Sequence, residues 1–147
     1  MIEVYDDAYF MQQALAQARL AATMGEVPVG AVVVSHGRII ARGHNQTERL
    51  NDVTAHAEII ALTAAANHLG DKYLRDCTLY VTLEPCPMCA GALAWSQLSR
   101  LVYGASDDKR GFMRFGRELL HPKTKLEFGI LHDGCARLMT EFFRGRR

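Results

Sequence analysis

The sequence predicts an α/β fold: a three-layer α/β/α sandwich around a five-stranded mixed sheet. Helix-period and strand-period stretches alternate along the 147 residues, with no internal repeat, low-complexity tract or linker to interrupt them. The first strand signal, residues 29–34, is a continuous apolar run. A short helical stretch separates the last two strand signals, and such a crossover favours their parallel pairing.

Each element has its own local signals. Asp6 or Asp7 can cap a first helix in which Phe10, Met11, Ala14, Leu15, Ala18 and Ala21 or Ala22 recur at helical spacing. That helix ends around Gly25. After the strand at 29–34, Ser35-His36-Gly37-Arg38 turns the chain into a second short strand at 39–41. Polar residues 44–53 form a loop, and residues 55–69 read as a helix capped by Thr54, with His56 and Glu58 in its first turn. The third strand, 77–82, leads through Leu83-Glu84-Pro85 directly into another helix. Residues 101–103 and 126–131 supply the fourth and fifth strands, with the short helix near 114–120 between them. Asp133 can cap the last helix, where Ala136, Leu138, Met139, Phe142 and Phe143 supply apolar surface. Residues 1–147 are thus expected to form a single domain with a sizeable core.

Two helix beginnings carry the chemistry. Cys86 and Cys89 are three positions apart, so a helix starting at Pro87 places both sulfurs on one face near its positive end, where thiolates are stabilised. Pro87 suits the first helical position because that residue needs no intrahelical N–H bond. Alone, a Cys-x-x-Cys pair reads equally as a redox pair or half of a structural zinc site. With His56 as a third ligand, brought close by the fold, the set matches a catalytic zinc with one position open for water. Residues two apart on a helix point in roughly opposite directions, so Glu58 is not the fourth ligand. Two thiolates neutralise the charge of the ion and weaken its effect on that water. A neighbouring general base is then useful, and Glu58 is the candidate. One imidazole, one carboxylate and two thiols form the set of a zinc hydrolase acting on a nucleobase amine, with Zn2+ at one per subunit. Cys77 and Cys135 lack partners at metal spacing and read as small buried hydrophobes.

Composition limits the setting. No stretch is apolar for long enough to span a bilayer, and Glu3, Asp6 and Asp7 stand where an export signal would be basic. Four cysteines, at least two of them needed as thiolates, fit a reducing compartment, so cytoplasm is expected. The net charge of +1 conceals a division: residues 1–99 carry six Lys/Arg against ten Asp/Glu, and residues 100–147 eleven against six. Lys109, Arg110, Arg114, Arg117, Lys123, Lys125, Arg144, Arg146 and Arg147 read as the footprint of a phosphate backbone, or as scattered solvated charge. Phe112 and Phe115 beside Arg114 read as a stack for unpaired bases, an apolar plug or a dimer contact. Trp95, by its size, belongs to the core or to a subunit interface.

The order of motifs resembles the cytidine deaminase superfamily and, within it, the bacterial tRNA-specific adenosine deaminases. The likeness runs through Glu26-Val27-Pro28-Val29-Gly30-Ala31, Gly43-His44-Asn45, His56-Ala57-Glu58, Tyr80-Val81-Thr82-Leu83-Glu84-Pro85-Cys86, Met88-Cys89-Ala90-Gly91-Ala92, Val102-Tyr103-Gly104-Ala105 and the closing run from Cys135 to Arg144. It implies a cytidine deaminase-like fold, zinc on His56, Cys86 and Cys89, and proton shuttling by Glu58. It also places the Asn45 amide on the target nucleotide, and Val29 with the backbone around Ala57 and Glu84 on the base pocket. Read on their own terms, Asn45 also suits a turn and Val29 the core. Departures fall at Phe112-Met113-Arg114-Phe115, where the family shows small residues, and at Thr124-Lys125, where it shows Asn-His. Pro-Cys-Pro-Met-Cys is a form shared with guanine deaminases.

Three functions follow. The first is deamination of adenosine to inosine in a tRNA anticodon loop at the wobble position, with Lys109, Arg110, Arg114 and Arg144 on the RNA. The second is deamination of a free base or nucleoside, guanine or cytosine first. The third, a catalytically silent zinc-containing RNA-binding subunit, is opposed by the intact His56, Glu58, Cys86 and Cys89. The resemblance further implies a homodimer, with Leu93 and Trp95 compatible with its interface.

Overall fold

The structure, a computed structural model, describes residues 5–146; Glu3 and Arg147, named above for their charge, lie outside the described residues. The elements run α1 (Asp7–Thr23), β1 (Gly30–Ser35), β2 (Arg38–His44), α2 (Ala57–Leu69), β3 (Cys77–Leu83), α3 (Pro87–Trp95), β4 (Arg100–Ala105), β5 (Lys125–Phe128) and α4 (His132–Arg144). The sheet order is β2-β1-β3-β4-β5. β1 pairs antiparallel with β2 and β3, whereas β3–β4 and β4–β5 are parallel, so the sheet is mixed and the expected parallel pairing of the last two strands is present.

Strand alternation divides the side chains between two cores. Val32, Val34, Tyr80 and Val102 join Phe10, Met11, Ala14 and Leu15 of α1 and Cys135 of α4 on one face. Ala31, Val33, Leu79, Val81, Leu101 and Tyr103 join Ala57, Ala61 and Ala65 of α2 and Ala90 and Leu93 of α3 on the other. This is the three-layer sandwich, and it puts α2 and α3 side by side over the same sheet face. α2 rides directly on the β2 backbone: a Cβ on Gly43 would lie 2.6 Å from the Ala57 carbonyl oxygen. That close approach sets the height at which the start of α2 stands above the sheet.

Several boundaries differ from the local signals. Asp6 caps α1 as expected, accepting the Tyr9 N–H at 2.9 Å. Thr54 does not cap α2. Its N–H and hydroxyl both bond Asp52 Oδ1, at 2.8 and 2.7 Å, and the cap position falls to His56 with extended backbone (φ −72°, ψ 154°). The expected helix at 114–120 is instead two short 3-10 turns, Phe112–Arg114 and Arg117–Leu119, because Gly116 between them takes φ 104° and breaks helical continuity. β5 is shorter than expected: Gly129 donates to the Tyr103 carbonyl and, at φ 90°, turns the chain out of the sheet. Asp133 lies inside the first turn of α4, whose cap is Leu131 in the left-handed region, and its carboxylate pairs with His132 instead. Cys77 and Cys135 are buried, 1% and 2% exposed. Trp95 is 85% exposed, which removes it from the core, whereas Leu93 is buried within the chain and has no surface left for an interface.

Candidate active site

The two helix beginnings converge. Cys86 is the cap of α3, Pro87 occupies the first helical position as expected, and Cys89 follows one turn into the helix. Cap and third helical residue face each other across a first turn, so both sulfurs sit on one side. His56, at the corresponding position of α2, turns Nδ1 toward them, 3.7 Å from Cys86 Sγ and 3.5 Å from Cys89 Sγ. The three donor atoms lie within 4.8 Å of one another.

This triangle fits a tetrahedral metal. Metal–nitrogen and metal–sulfur bonds of about 2.05 and 2.3 Å at tetrahedral angles give nitrogen-to-sulfur edges of about 3.6 Å. The electrostatics of the three groups point the same way. A hydrogen bond from Cys89 brings the Cys86 thiol down to about 4, with His56 adding to the effect. Cys89, bonded to Cys86 and buried, is pushed up. The hydrogen bond to Cys86 holds His56 above its ordinary value. A divalent cation held by the three groups would let both sulfurs be thiolates.

Glu58 lies beside this group, 4% exposed, and burial pushes its carboxyl up to about 7. Glu58 is not one of the three donor residues, and it leans over them from the first turn of α2. His56 precedes α2 with extended backbone, so both side chains reach the same spot from the start of the helix.

The other expected site residues fall around this centre. Asn45, buried at the end of β2, donates its N–H to the Val29 carbonyl at 3.0 Å, which ties the two together. Its Oδ1 accepts the Thr47 N–H at 3.3 Å, the turn role anticipated for it, while Nδ2 reaches the Val27 carbonyl at 3.4 Å. Val29 is partly buried against the α2-side core, and Ala57 is fully buried. Lys109, Arg110 and Arg114 are exposed on the segment after β4, where Arg114 donates to the Lys109 carbonyl. Arg144 is exposed at the end of α4, which packs on the opposite sheet face from α2 and α3. The phenylalanines part company: Phe112 is fully buried and Phe115 is 62% exposed.

Two buried carboxylates escaped sequence reasoning. Glu26, 1% exposed, accepts the N–H groups of Glu48 and Arg49 at 3.0 and 2.8 Å and so holds the loop that follows Asn45. Glu84, expected to contribute only backbone, accepts Asp107 N–H at 3.1 Å and Met113 N–H at 3.0 Å through its side chain. The available signal was an acid set among apolar residues and prolines, Glu26-Val27-Pro28 and Leu83-Glu84-Pro85, where a buried carboxylate needs donors.

Residues 5–147 match the family of MafB19-like deaminases. A tRNA-specific adenosine deaminase of Agrobacterium fabrum is 44% identical over 144 residues, 95% of this chain and 95% of its own. A structure from work on A-to-I editing by tRNA:A34 deaminases at the wobble position of transfer RNA superposes with a TM-score of 0.83 at 44% identity, covering 88% of this chain and 97% of that one. Guanine deaminase from Nitrosomonas europaea superposes with a TM-score of 0.82 at 26% identity, covering 96% of this chain and 86% of its own.

Proposed function

This chain belongs to the MafB19-like deaminase family, and on that premise we propose that it is a zinc-dependent hydrolase converting adenosine to inosine in tRNA, at the wobble position of the anticodon. The metal triangle with a buried carboxylate beside it supports the chemistry. The observation that carries the substrate is the 44% identity, over 95% of both chains, to a protein named for tRNA adenosine; guanine deaminases are 26% identical over 96% of this chain and 40% identical over only 69% of it. Residues 1–147 act as a single deaminase domain.

His56 Nδ1, Cys86 Sγ and Cys89 Sγ hold the zinc, which when bound supplies the Lewis acidity that acidifies an attacking water. Glu58 takes a proton from that water and delivers it to the purine ring nitrogen. A second transfer by the same carboxyl protonates the departing amine, so a C–O bond forms, the C–N bond breaks and ammonia leaves. Burial suits a carboxyl that both takes and gives protons. The Asn45 amide holds the target nucleotide, with Val29, Ala57 and the Glu84 backbone lining the base pocket. An anticodon loop suits such a site because its bases can be splayed out without opening a helix. Lys109, Arg110, Arg114 and Arg144 contact the RNA phosphates.

The protein works as a homodimer in the cytoplasm. Exposed Trp95 at the end of α3 supports an interface there, and no helix among the described residues is long and apolar enough to cross a membrane. Deamination of a free base is the second reading, favoured by the guanine deaminase superposition and by Pro87 in the cysteine motif.

The deciding experiment offers zinc-loaded protein an anticodon stem-loop with adenosine at the wobble position, beside guanine, cytosine and free nucleosides. Inosine in the stem-loop alone is expected. Ammonia released only from a free base would transfer the function to the second reading.

A further inference from the structure

The segment after β4 is pinned to the metal-binding turn from several directions. Glu84 and Pro85 immediately precede the ligand Cys86. Both Glu84 oxygens accept backbone N–H groups of this segment, from Asp107 at 3.1 Å and Met113 at 3.0 Å, and the Phe112 N–H bonds the Pro85 carbonyl at 2.9 Å. A Cβ on Gly111 would lie 1.8 Å from Glu84 Oε2, so the carboxylate fills the space that only glycine leaves open. The fully buried Phe112 ring meets Tyr103 edge-on, with centroids 6.2 Å apart. Breaking these bonds would leave the buried Glu84 carboxylate without donors. The segment is a rigid rim.

Phe115 stands on that rim and is the most exposed of its apolar residues. Phe112 and Leu120 are buried and Met113 is 39% exposed, but Phe115 is 62% exposed, its ring 5.5 Å from the Arg114 guanidinium carbon. Its N–H bonds the Phe112 carbonyl at 2.9 Å, so it too is fixed in place. Three residues from Phe112 span at most about 11 Å, which keeps the ring close to the turn that carries Cys86. Residues 107–117 hold four cations against two carboxylates, and one of these, Asp107, is occupied by the N–H groups of Lys109 and Arg110. A flat exposed ring among cations fits a partner with planar apolar faces and negative charge, which describes an unpaired nucleotide better than a protein surface.

We infer that Phe115, with Arg114 beside it, is a stacking platform for an unpaired base flanking the reacting adenosine of the RNA loop. This rests on the tRNA reading above and adds a specificity element at the place where the chain departs from the family's small residues. The ring takes the base face, and the guanidinium, with one N–H spent on the Lys109 carbonyl, takes the neighbouring phosphate.

The test compares Phe115→Ala and Phe115→Trp with the parent, all zinc-loaded. It reads KM and kcat on the anticodon stem-loop, and fluorescence quenching of a stem-loop carrying 2-aminopurine beside the wobble position. Phe115→Ala should raise KM about tenfold with kcat within about twofold and lose the quenching; Phe115→Trp should restore both. Melting temperature and zinc content should not move, since the ring is mostly solvated. Equal KM and quenching in Phe115→Ala and the parent would overturn the platform, as would dissociation of a dimer by Phe115→Ala in sedimentation, which would make the ring a protein contact. If the parent forms no inosine, the tRNA reading fails separately. The platform is then judged on quenching alone: loss in Phe115→Ala supports it and equality refutes it.

Discussion

In the proposed reaction, Glu58 and the three residues that would hold the metal, His56, Cys86 and Cys89, divide the work by what each atom can do. Imidazole and thiolates can hold a cation, but none can accept a proton from water while so engaged; a free carboxyl can. Glu58→Ala should therefore retain about one zinc per chain and lose turnover by about 10²–10⁴-fold, measured as inosine formed per protein beside metal content. Loss of zinc together with activity would make Glu58 a support of the site instead of its proton carrier. These four residues were legible in the sequence because spacing and residue type are local properties. The side-chain role of Glu84 was not. Its donors, Asp107 and Met113, arrive from 23 and 29 residues away, and only the folded chain brings them to it.

At the scale of elements, helix beginnings do the positioning. The sequence placed His56 inside the first turn of α2, whereas Asp52 draws Thr54 into its own turn and leaves His56 as the cap. That two-residue difference lets His56 and Glu58 face the same spot. On the other side of the sheet, the start of α1 is fastened by Asp7, whose carboxylate receives Arg100 at 2.9 and 2.7 Å and the Tyr80 hydroxyl at 2.6 Å. Arg100 also reaches Glu127 of β5 at 2.8 Å, so one guanidinium ties α1, β4 and β5 together. The hydrogen bonds from Arg100 hold the Asp7 carboxyl below its ordinary value. The folded chain thus releases this proton more readily than the unfolded one. The stabilisation is complete above the unfolded carboxyl's pKa of about 3.9 and is lost as pH falls through the lower folded value. Asp7→Asn should cost about 1–2 kcal/mol near pH 7, and the gap to the parent should close in acid. Denaturant melts at pH 7 and below pH 3 check this; a gap independent of pH would mean that the cost is steric.

Across the whole molecule, the charge division in the sequence is redistributed by the fold. Lys109, Arg110 and Arg114 lie on the rim pinned to the turn that carries Cys86, while Arg144 closes a helix on the opposite sheet face. Arg117 is diverted to a structural bond with the Thr124 carbonyl. Reversing Arg114 and Arg144 to Glu should weaken stem-loop binding and flatten its salt dependence, each lost phosphate contact reducing the slope of log K against log salt by about 0.7. The separate variants distinguish their shares: Arg114→Glu should carry the larger loss, and an unchanged slope in the double variant would remove the proposed footprint.

The alternation of elements, the parallel pairing of the last strands, the buried state of Cys77 and Cys135 and the donor set His56, Cys86 and Cys89 with Glu58 were determined by the sequence alone. Periodicity, turn residues and ligand chemistry act over a few residues and leave their mark there. What the tertiary structure decided depends on groups far apart in the chain. It made His56 a helix cap, separated buried Phe112 from exposed Phe115, kept Trp95 out of the core, and set Glu26 and Glu84 to hold loops in place. A buried carboxylate must find donors wherever the fold presents them, and an aromatic ring is plug or platform according to the surface folded against it.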